Sequence, residues 1–262
     1  MNKNIQAEKN VIALELYLKE HPKAALAFSG GCDSAFLLAK AVEQNVQVQP
    51  YFVKSAFQPQ FELEDAKRLC NQLGVSLRVL QTEPLAQKAI QQNGPLRCYY
   101  CKKSIFSALK AAAQSDGYTL LWDGTNASDS EVDRPGIKAL QELSVQSPLR
   151  MARLTKQQIR KESEEMKLFT WNKPAYACLA TRIPTGTFLT QKDLTRAENA
   201  ETQLFKMGFS NFRVRVIKDA GKLQLPASQF EKAVLMHDEV VRQLKPWFNT
   251  ILLDLEPRPE ET

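Results

Sequence analysis

The sequence predicts an α/β fold, a parallel sheet with helices on both faces, followed by a small α+β domain. Over the first two thirds of the chain, short apolar runs alternate with amphipathic stretches. This is the pattern of strands that are each followed by a covering helix. After residues 181–186 the spacing changes to close strands set between helices. We therefore expect domains at residues 1–184 and 185–262.

The elements follow from apolar runs and from helical periodicity, taken in chain order. The first domain is expected to contain strands at 24–28, 46–53, 75–80 and 118–122, with helices at 34–44 and 62–73. The second is expected to contain a helix at 191–207, strands at 212–217 and 222–225, a helix at 228–244 and a strand at 250–255. Ligands of such parallel sheets bind beyond the carboxyl ends of the strands. The turns that follow strands are thus the first places to look for function.

The composition is that of a folded protein with a mild basic excess. Hydrophobic residues make up 44% of the 262 residues and charged residues 24%, which argues against disorder. The net charge of +6 suits phosphate-bearing ligands and is small for a nucleic-acid footprint. The first twenty residues lack an apolar signal core, and no apolar run reaches the roughly 18 residues of a membrane span. We expect a cytoplasmic protein without a membrane partner.

A Ser-Gly-Gly-Cys-Asp-Ser loop follows the first predicted strand directly and precedes a helix. Glycines let backbone N–H groups crowd around an anion, the helix amino terminus attracts negative charge, and hydroxyls donate to phosphate oxygens. A carboxylate in such a loop is suited to the Mg²⁺ that accompanies a nucleotide. The loop consists of Ser29, Gly30, Gly31, Cys32, Asp33 and Ser34.

The loop matches the Ser-Gly-Gly-x-Asp-Ser motif of PP-loop enzymes, which resemble one another in splitting ATP between the α and β phosphates. It is not a Walker A loop, because no Gly-Lys-Ser/Thr follows. Asp33 is therefore the expected Mg²⁺ ligand, and Cys32, at the variable position, is expected to be a small buried side chain. A plain glycine turn capped by serine is the alternative, and the flanking strand and helix disfavour it.

Three cysteines form the second candidate constellation. Two residues separate Cys98 from Cys101, in a predicted loop, and Cys178 lies far along the chain. Three thiolates can hold a [4Fe–4S] cluster and leave one iron open to sulfide or substrate. A thioredoxin-like pair and half of a zinc site are alternatives, but the chain has only two histidines, both remote in sequence. Cys70, on an amphipathic stretch, is expected in the core.

Two further stretches are expected to line sites. Gly124 lies in an Asp-Gly-Thr-Asn segment after a predicted strand, where nucleotide contacts are expected, although a polar turn gives the same pattern. Arg213 and Arg215 alternate on one predicted strand and so share a face suited to gripping a phosphate. Two solvated arginines are the alternative.

These motifs together are similar to the LarE family, over residues from about 20 to 255. The motifs are the loop above, Asp123-Gly124-Thr125-Asn126, Asp133-Arg134-Pro135-Gly136, Ser147-Pro148-Leu149, Lys173-Pro174 with Cys178, Arg182 to Thr187, and Arg213-Val214-Arg215. The resemblance implies an ATP-dependent sulfur transferase in the synthesis of the nickel-pincer nucleotide of lactate racemase. It also implies a homo-oligomer.

The resemblance further implies what each site residue does. The substrate would be a pyridinium dicarboxylate mononucleotide whose carboxylate is adenylated and converted into a thiocarboxylate, and the sulfur donor is not specified. One branch of the family sacrifices a cysteine sulfur, whereas the triplet Cys98, Cys101 and Cys178 resembles the cluster-binding branch. Gln224 departs from the family pattern, where a Glu is expected. The expected substrate-binding residues are Thr181, Arg182, Glu201, Arg213 and Arg215.

Three other functions compete with this interpretation. A PP-loop tRNA thiolase would share the loop and the cysteines, but the mild charge and the lack of a zinc ribbon or long basic tract disfavour it. A PP-loop amidotransferase or synthetase that uses ammonia has no use for clustered cysteines. A metal-storage module leaves the pyrophosphate loop unexplained.

Overall fold

A computed structural model describes residues 2–129 and 135–259, the side chains of residues 2–5 and 135 excepted. Along the chain lie α1 (Asn2–Glu20), β1 (Lys23–Ala27), α2 (Cys32–Glu43), β2 (Gln47–Lys54), α3 (Gln60–Gln72), β3 (Arg78–Gln81), α4 (Lys88–Gln91), α5 (Arg97–Ser115), β4 (Leu121–Trp122), α6 (Pro135–Glu142), α7 (Pro148–Met151), α8 (Lys156–Glu165), α9 (Gln191–Lys206), β5 (Arg213–Ile217), β6 (Ala220–Gln224), α10 (Phe230–Leu235), α11 (His237–Leu244) and β7 (Thr250–Leu253).

The described residues form two compact units. The first draws on Met1–Thr82 and Cys98–Lys173, and the second on Glu83–Arg97 and Pro174–Thr262. The predicted domain boundary at residue 184 stays a prediction.

A four-stranded parallel sheet in the order β3-β2-β1-β4 forms the centre of the first unit. Side chains that alternate along each strand pack on opposite faces. Leu26 and Phe52 join a core with residues of α1, α2, α3 and α8, whereas Ala25 and Tyr51 pack against α5. Helices therefore cover both faces, which confirms the predicted α/β class.

The second unit contains a three-stranded sheet in the order β5-β6-β7. Strands β5 and β6 are antiparallel, as their short connection predicts, and β7 adds parallel to β6. Helix α9 buries an apolar stripe and begins at Thr190, whose hydroxyl accepts from the backbone N–H of Asp193 at 3.1 Å. This unit is the α+β arrangement predicted for the last third of the chain.

Several elements differ from the sequence-based prediction. The helix predicted over 228–244 is two helices, α10 and α11, separated at Met236. Cys98 and Cys101 lie in the first turns of α5 rather than in a loop. Strand β3 begins three residues later than the apolar run suggested. Within the described part of the chain, no helix has both the length and the apolar character that crossing a membrane requires.

Candidate functional site

The predicted phosphate loop connects β1 to α2, and its hydroxyl groups form hydrogen bonds within the loop. Ser29 Oγ and Ser34 Oγ share a hydrogen bond of 3.0 Å, and Ser29 Oγ also accepts from the backbone N–H of Gly31 at 3.3 Å. The N-cap of α2 is Gly31, which has no side chain to cap the helix. Because the first N–H groups of a helix lack intrahelical partners, this turn can receive an anion.

Gly30 is required by both conformation and space. Its φ is +72°, in the left-handed region that side chains disfavour. A Cβ at this position would lie 3.1 Å from the carbonyl oxygen of Glu62 and 3.3 Å from Ala66. The loop therefore packs directly on α3, and Lys173, whose Nζ lies 3.3 Å from the Gly30 carbonyl and 2.6 Å from Asp65 Oδ2, ties it there.

Asp33 forms an ion pair with Lys156, the first residue of α8. Lys156 Nζ lies 3.0 Å from Asp33 Oδ1 and 2.9 Å from Oδ2. The side chains are 25% and 30% exposed, so both are accessible to a ligand. Burial raises the pKa of the Asp33 carboxyl, and the positive charge of Lys156 opposes that rise. A divalent cation at this carboxylate would therefore compete with an ammonium group.

The segment after β4 folds against the same loop. Asp123 accepts hydrogen bonds from Thr125 Oγ1 at 2.5 Å and Ser147 Oγ at 2.6 Å. A Cβ on Gly124 would lie 2.9 Å from the backbone nitrogen of Ser34, closer than real Cβ atoms approach. Only glycine fits there, so the predicted nucleotide-contact position is a close approach of two backbones. The Asx-type turn expected as an alternative is also present.

Cys32 and Cys70 are core residues, as predicted. Cys32 is 3% exposed, and its Sγ lies 3.6 Å from the Trp171 carbonyl oxygen and 3.9 Å from Ser163 Oγ. Burial raises the pKa of both thiols, that of Cys70 to about 12. Neither thiol is suited to nucleophilic chemistry.

Cys98 and Cys101 lie on α5, where Cys98 is exposed and Cys101 is half-buried. Because they are three residues apart on a helix, their side chains share a face. Tyr99, which stands between the two cysteines, donates to Glu142 Oε2 at 2.9 Å. Lys103, two positions after Cys101, has its Nζ 2.8 Å from the same oxygen. These contacts attach the start of α5 to α6.

In the second unit, Arg182 and Glu201 form a buried ion pair. Arg182 Nε donates to Glu201 Oε1 at 2.8 Å and Nη2 donates to Oε2 at 2.9 Å, and the two side chains are 0% and 1% exposed. Glu201 also accepts from the backbone N–H of Val214 at 2.8 Å and from the Tyr176 hydroxyl. Every charge in the pair is thus matched by hydrogen bonds, the condition for burying it.

The arginines of this unit bind main-chain carbonyl groups of the segment that carries Cys178. Arg182 Nη1 donates to the Ala177 carbonyl at 2.6 Å and Arg213 Nη2 to that of Ala175 at 2.7 Å. Arg215 donates to the carbonyl of Thr181. Thr181 in turn donates from Oγ1 to the Cys178 carbonyl at 2.8 Å. In this structure the predicted substrate residues hold the cysteine segment in place.

The remaining charge of this cluster is positive. Burial, together with repulsion from Arg182 and Arg258, lowers the pKa of the Arg213 guanidinium to about 10. The same causes lower the pKa of Arg215. A nearby anion would relieve this repulsion, so the cluster is suited electrostatically to a phosphate.

Gln224, at the position where a family Glu was expected, uses both ends of its amide. Its Oε1 accepts from Arg215 Nε at 2.8 Å, and its Nε2 donates to Asp254 Oδ2 at 2.8 Å. A carboxylate cannot donate to Asp254. The glutamine is therefore part of a different hydrogen-bond arrangement from the one a glutamate would make.

The three-cysteine metal site stays a prediction. Among the described residues, no three His, Cys, Asp or Glu side chains are grouped so that they could hold a metal ion. Cys178 is half-buried. Asp133 and Arg134 of the predicted site lining lie outside the described residues.

Sequence reasoning did not identify two residues that are central to these sites. Lys156 carries no motif, since its neighbours Thr155 and Gln158 form an ordinary capping box. Tyr176 stands two positions before Cys178, and its ring lies 4.3 Å from the Arg182 guanidinium and 5.1 Å from that of Arg213. An aromatic residue near predicted arginines was the one available signal.

Comparison with known proteins adds to this geometry. Residues 23–94, which include the phosphate loop, match the family model described as queuosine biosynthesis protein QueC. An uncharacterized protein of Synechocystis sp. is 33% identical over 255 residues, 95% of this chain and 94% of that protein. The pyridinium-3,5-bisthiocarboxylic acid mononucleotide synthase of Lactiplantibacillus plantarum is 32% identical over 241 residues, 91% of this chain and 87% of that protein.

The chain belongs to the LarE family. Its PP-loop fold and its LarE-family membership make it an ATP-dependent enzyme. In this LarE-family chain, the family-model match covers β1 to β3 and thus the strand, the predicted phosphate loop and the helix that follows it. An uncharacterized protein of Methanocaldococcus jannaschii is 27% identical over 95% of the chain and 96% of its own length.

Proposed function

We propose that this enzyme adenylates a carboxylate of a pyridinium dicarboxylate mononucleotide and replaces one carboxylate oxygen with sulfur. The observation that carries the proposal is the loop between β1 and α2, with its paired serines and uncapped helix terminus, in a LarE-family chain. The relative that is named a pyridinium-3,5-bisthiocarboxylic acid mononucleotide synthase supports the choice of substrate.

The first step is nucleotidyl transfer. A substrate carboxylate oxygen attacks the α-phosphorus of ATP, the bond from that phosphorus to the bridging α–β oxygen breaks, and pyrophosphate leaves. The loop N–H groups and the hydroxyls of Ser29 and Ser34 stabilise the departing pyrophosphate. Asp33 would hold Mg²⁺, which when bound would supply positive charge to offset that of the phosphates.

The second step replaces oxygen with sulfur. A sulfide equivalent attacks the acyl carbon, the bond to the AMP oxygen breaks, and AMP leaves with both bonding electrons. The sulfur forms the new carbon–sulfur bond and loses its proton to solvent. Carboxylate, ATP and hydrosulfide thus give thiocarboxylate, AMP and pyrophosphate, with no change in oxidation state.

Cys98, Cys101 and Cys178 are the proposed sulfur-handling residues. Their chemistry fits a [4Fe–4S] cluster, which when bound would supply an iron open to sulfide. The hydrogen bonds from Thr181 and Arg182 to the Cys178 carbonyl fix the backbone of that cysteine. Cys98 and Cys101 are fixed by a helix that is attached to α6 through Tyr99 and Lys103.

Analysis of the nucleotide products tests the adenylation step. With the pyridinium dicarboxylate mononucleotide and a sulfide source under anaerobic conditions, we expect AMP and pyrophosphate in equal amounts. Stoichiometric ADP and phosphate would refute it. A thiolated tRNA in place of a thiolated small molecule would move the acceptor to the competing tRNA thiolase class.

Substitution of each cysteine tests the sulfur step. Cys98→Ala, Cys101→Ala and Cys178→Ala should each abolish both iron binding and sulfur transfer, because residues that act as a unit fail together. Cys70→Ala is the matched control and should cost only a little stability. If Cys178 alone were needed and the protein lost about 34 Da once, as H₂S leaves and dehydroalanine remains, the sulfur would come from the cysteine itself.

A further inference from the structure

The phosphate loop contains no lysine, but a lysine from another helix reaches it. Lys156 begins α8 and lies 2.9 and 3.0 Å from the carboxylate oxygens of Asp33. Neither side chain is enclosed, since 30% of Lys156 and 25% of Asp33 are exposed. An ion pair that solvent reaches can exchange its partners when a more highly charged ligand arrives.

The position of Lys156 is fixed by the surrounding fold. Its backbone N–H donates to Ser128 Oγ at 3.0 Å, and the N–H of Ser128 donates to Asn126 Oδ1 at 2.7 Å. Further along α8, the side chain of Ser163 contacts Cys32 at the start of α2. The segment after β4, the phosphate loop and α8 are therefore one connected set of contacts.

A second cation lies on the same helix. Arg160 follows Lys156 by four residues, so the two side chains lie on one side of α8. The charge of Arg160 is close enough to lower the pKa of Asp33 and of Cys32. Its buried Nε has no hydrogen-bond partner among the described atoms. A buried donor without an acceptor is unfavourable, and an anion at this place would supply one.

Charges of both signs surround Asp33. Asp129 is close enough to raise the pKa of the Asp33 carboxyl by repulsion, whereas Lys156 and Arg160 lower it. If a divalent cation took the place of the ammonium group at Asp33, Lys156 would be free to donate to phosphate oxygens bound at the loop. We propose that Lys156, supported by Arg160, leaves Asp33 and binds the β- and γ-phosphates of ATP, the part that departs as pyrophosphate. This inference rests on the proposed adenylation by the loop.

Equilibrium binding of Mg·ATP and of AMP to the full chain tests it, because AMP lacks the two phosphates concerned. Lys156→Ala should weaken Mg·ATP binding by about tenfold or more, the effect of one charge-assisted hydrogen bond, and leave AMP binding within about twofold. Lys156→Arg should recover most of the loss. Lys161→Ala is the control, since it removes the same charge from an exposed position of the same helix.

The outcomes separate this inference from the function it rests on. If the unsubstituted protein does not bind Mg·ATP, the proposed adenylation itself fails. If it binds Mg·ATP and Lys156→Ala binds it equally well, or if AMP and ATP are weakened alike, Lys156 does not bind the departing phosphates. Thermal melts without ligand identify a folding defect. Should Lys156→Ala unfold, Arg160→Ala and Lys156→Met carry the same ATP-against-AMP comparison.

Discussion

Two ion pairs in this protein join residues of the same charge types in opposite surroundings. Asp33, in the phosphate loop of the first unit, pairs with Lys156 at the start of α8, and the two side chains are 25% and 30% exposed. Arg182 and Glu201 lie inside the second unit and are 0% and 1% exposed. The partly exposed pair is held by its own two contacts, whereas the buried pair adds Tyr176, Val214 and the Ala177 carbonyl.

This difference shows which charges can take part in binding and which hold structure. A pair that solvent reaches contributes less to stability than its contacts suggest and can change partners. A buried pair cannot lose one member without leaving the other charge unpaired in a medium of low polarity. The first pair is thus expected to respond to ligands, and the second to fix the Cys178 segment whether or not a ligand is bound.

The largest effect is expected from breaking the buried pair. Glu201→Ala should reduce the free energy of unfolding by about 3–5 kcal/mol, because it leaves the Arg182 guanidinium buried without its carboxylate. Denaturant unfolding measures this loss. The double variant Arg182→Met/Glu201→Leu should lose less than the sum of the single variants, and additive losses would show that the two residues do not act as a pair.

Removal of Asp33 should affect catalysis rather than folding. Asp33→Asn is expected to lower Mg²⁺-dependent formation of AMP by about a hundredfold or more, since a bound metal supplies several kcal/mol of charge stabilisation. The melting temperature should change little, because burial of this carboxylate already opposes its charged form. An unchanged rate at saturating Mg²⁺ would remove Asp33 from the metal site.

The arginines on β5 should give a smaller effect that falls on the acceptor. Arg215→Ala should raise the acceptor KM by about tenfold or more while ATP affinity stays nearly the same, the effect expected for a charged hydrogen bond to a phosphate. Arg213→Ala should do the same less strongly, because Arg213 is 7% exposed and already binds the Ala175 carbonyl. A fall in kcat with unchanged KM would instead assign both arginines to positioning Cys178.

The smallest effect is expected from an ion pair in which both side chains are exposed. Lys161→Ala removes a contact of 3.7 Å to Glu165, whose side chain is 61% exposed. Its free energy of unfolding should change by less than about 1 kcal/mol. A loss as large as that of Glu201→Ala would contradict the contrast between exposed and buried pairs.

The parts of the fold that follow local rules could be predicted from sequence. The loop 29–34 combines residue types that suit an anion with a strand before it and a helix after it, and the structure has that order. The prediction of one continuous helix over 228–244 was wrong, since the helix is interrupted at Met236. The apolar helical pattern continues through the interruption, and no glycine or proline marks it. Buried Arg182 could not be predicted, since arginine is rarely buried and its partner lies on another element.

The site could be predicted only where its residues are neighbours in the chain. Lys156 is 123 positions from Asp33, and it is brought there by the packing of α8 on α2 rather than by any pattern of its own. The predicted substrate contacts of Thr181 and Arg215 also depend on residues distant in the chain, and they stay predictions. The contacts that the structure shows for these two residues are to the Cys178 segment. Tertiary contacts between distant charged residues leave no periodic trace in a single sequence.

The burial of Cys32 also has a consequence for how the enzyme can be handled in air and with thiol reagents. Its sulfur faces the Trp171 carbonyl and Ser163, and its raised pKa keeps it protonated at neutral pH. Only the thiolate reacts readily with alkylating agents and peroxide. The phosphate loop therefore keeps a cysteine next to Asp33 in a form that resists oxidation, and a reagent that modifies the exposed Cys98 should leave the sulfur of Cys32 unmodified.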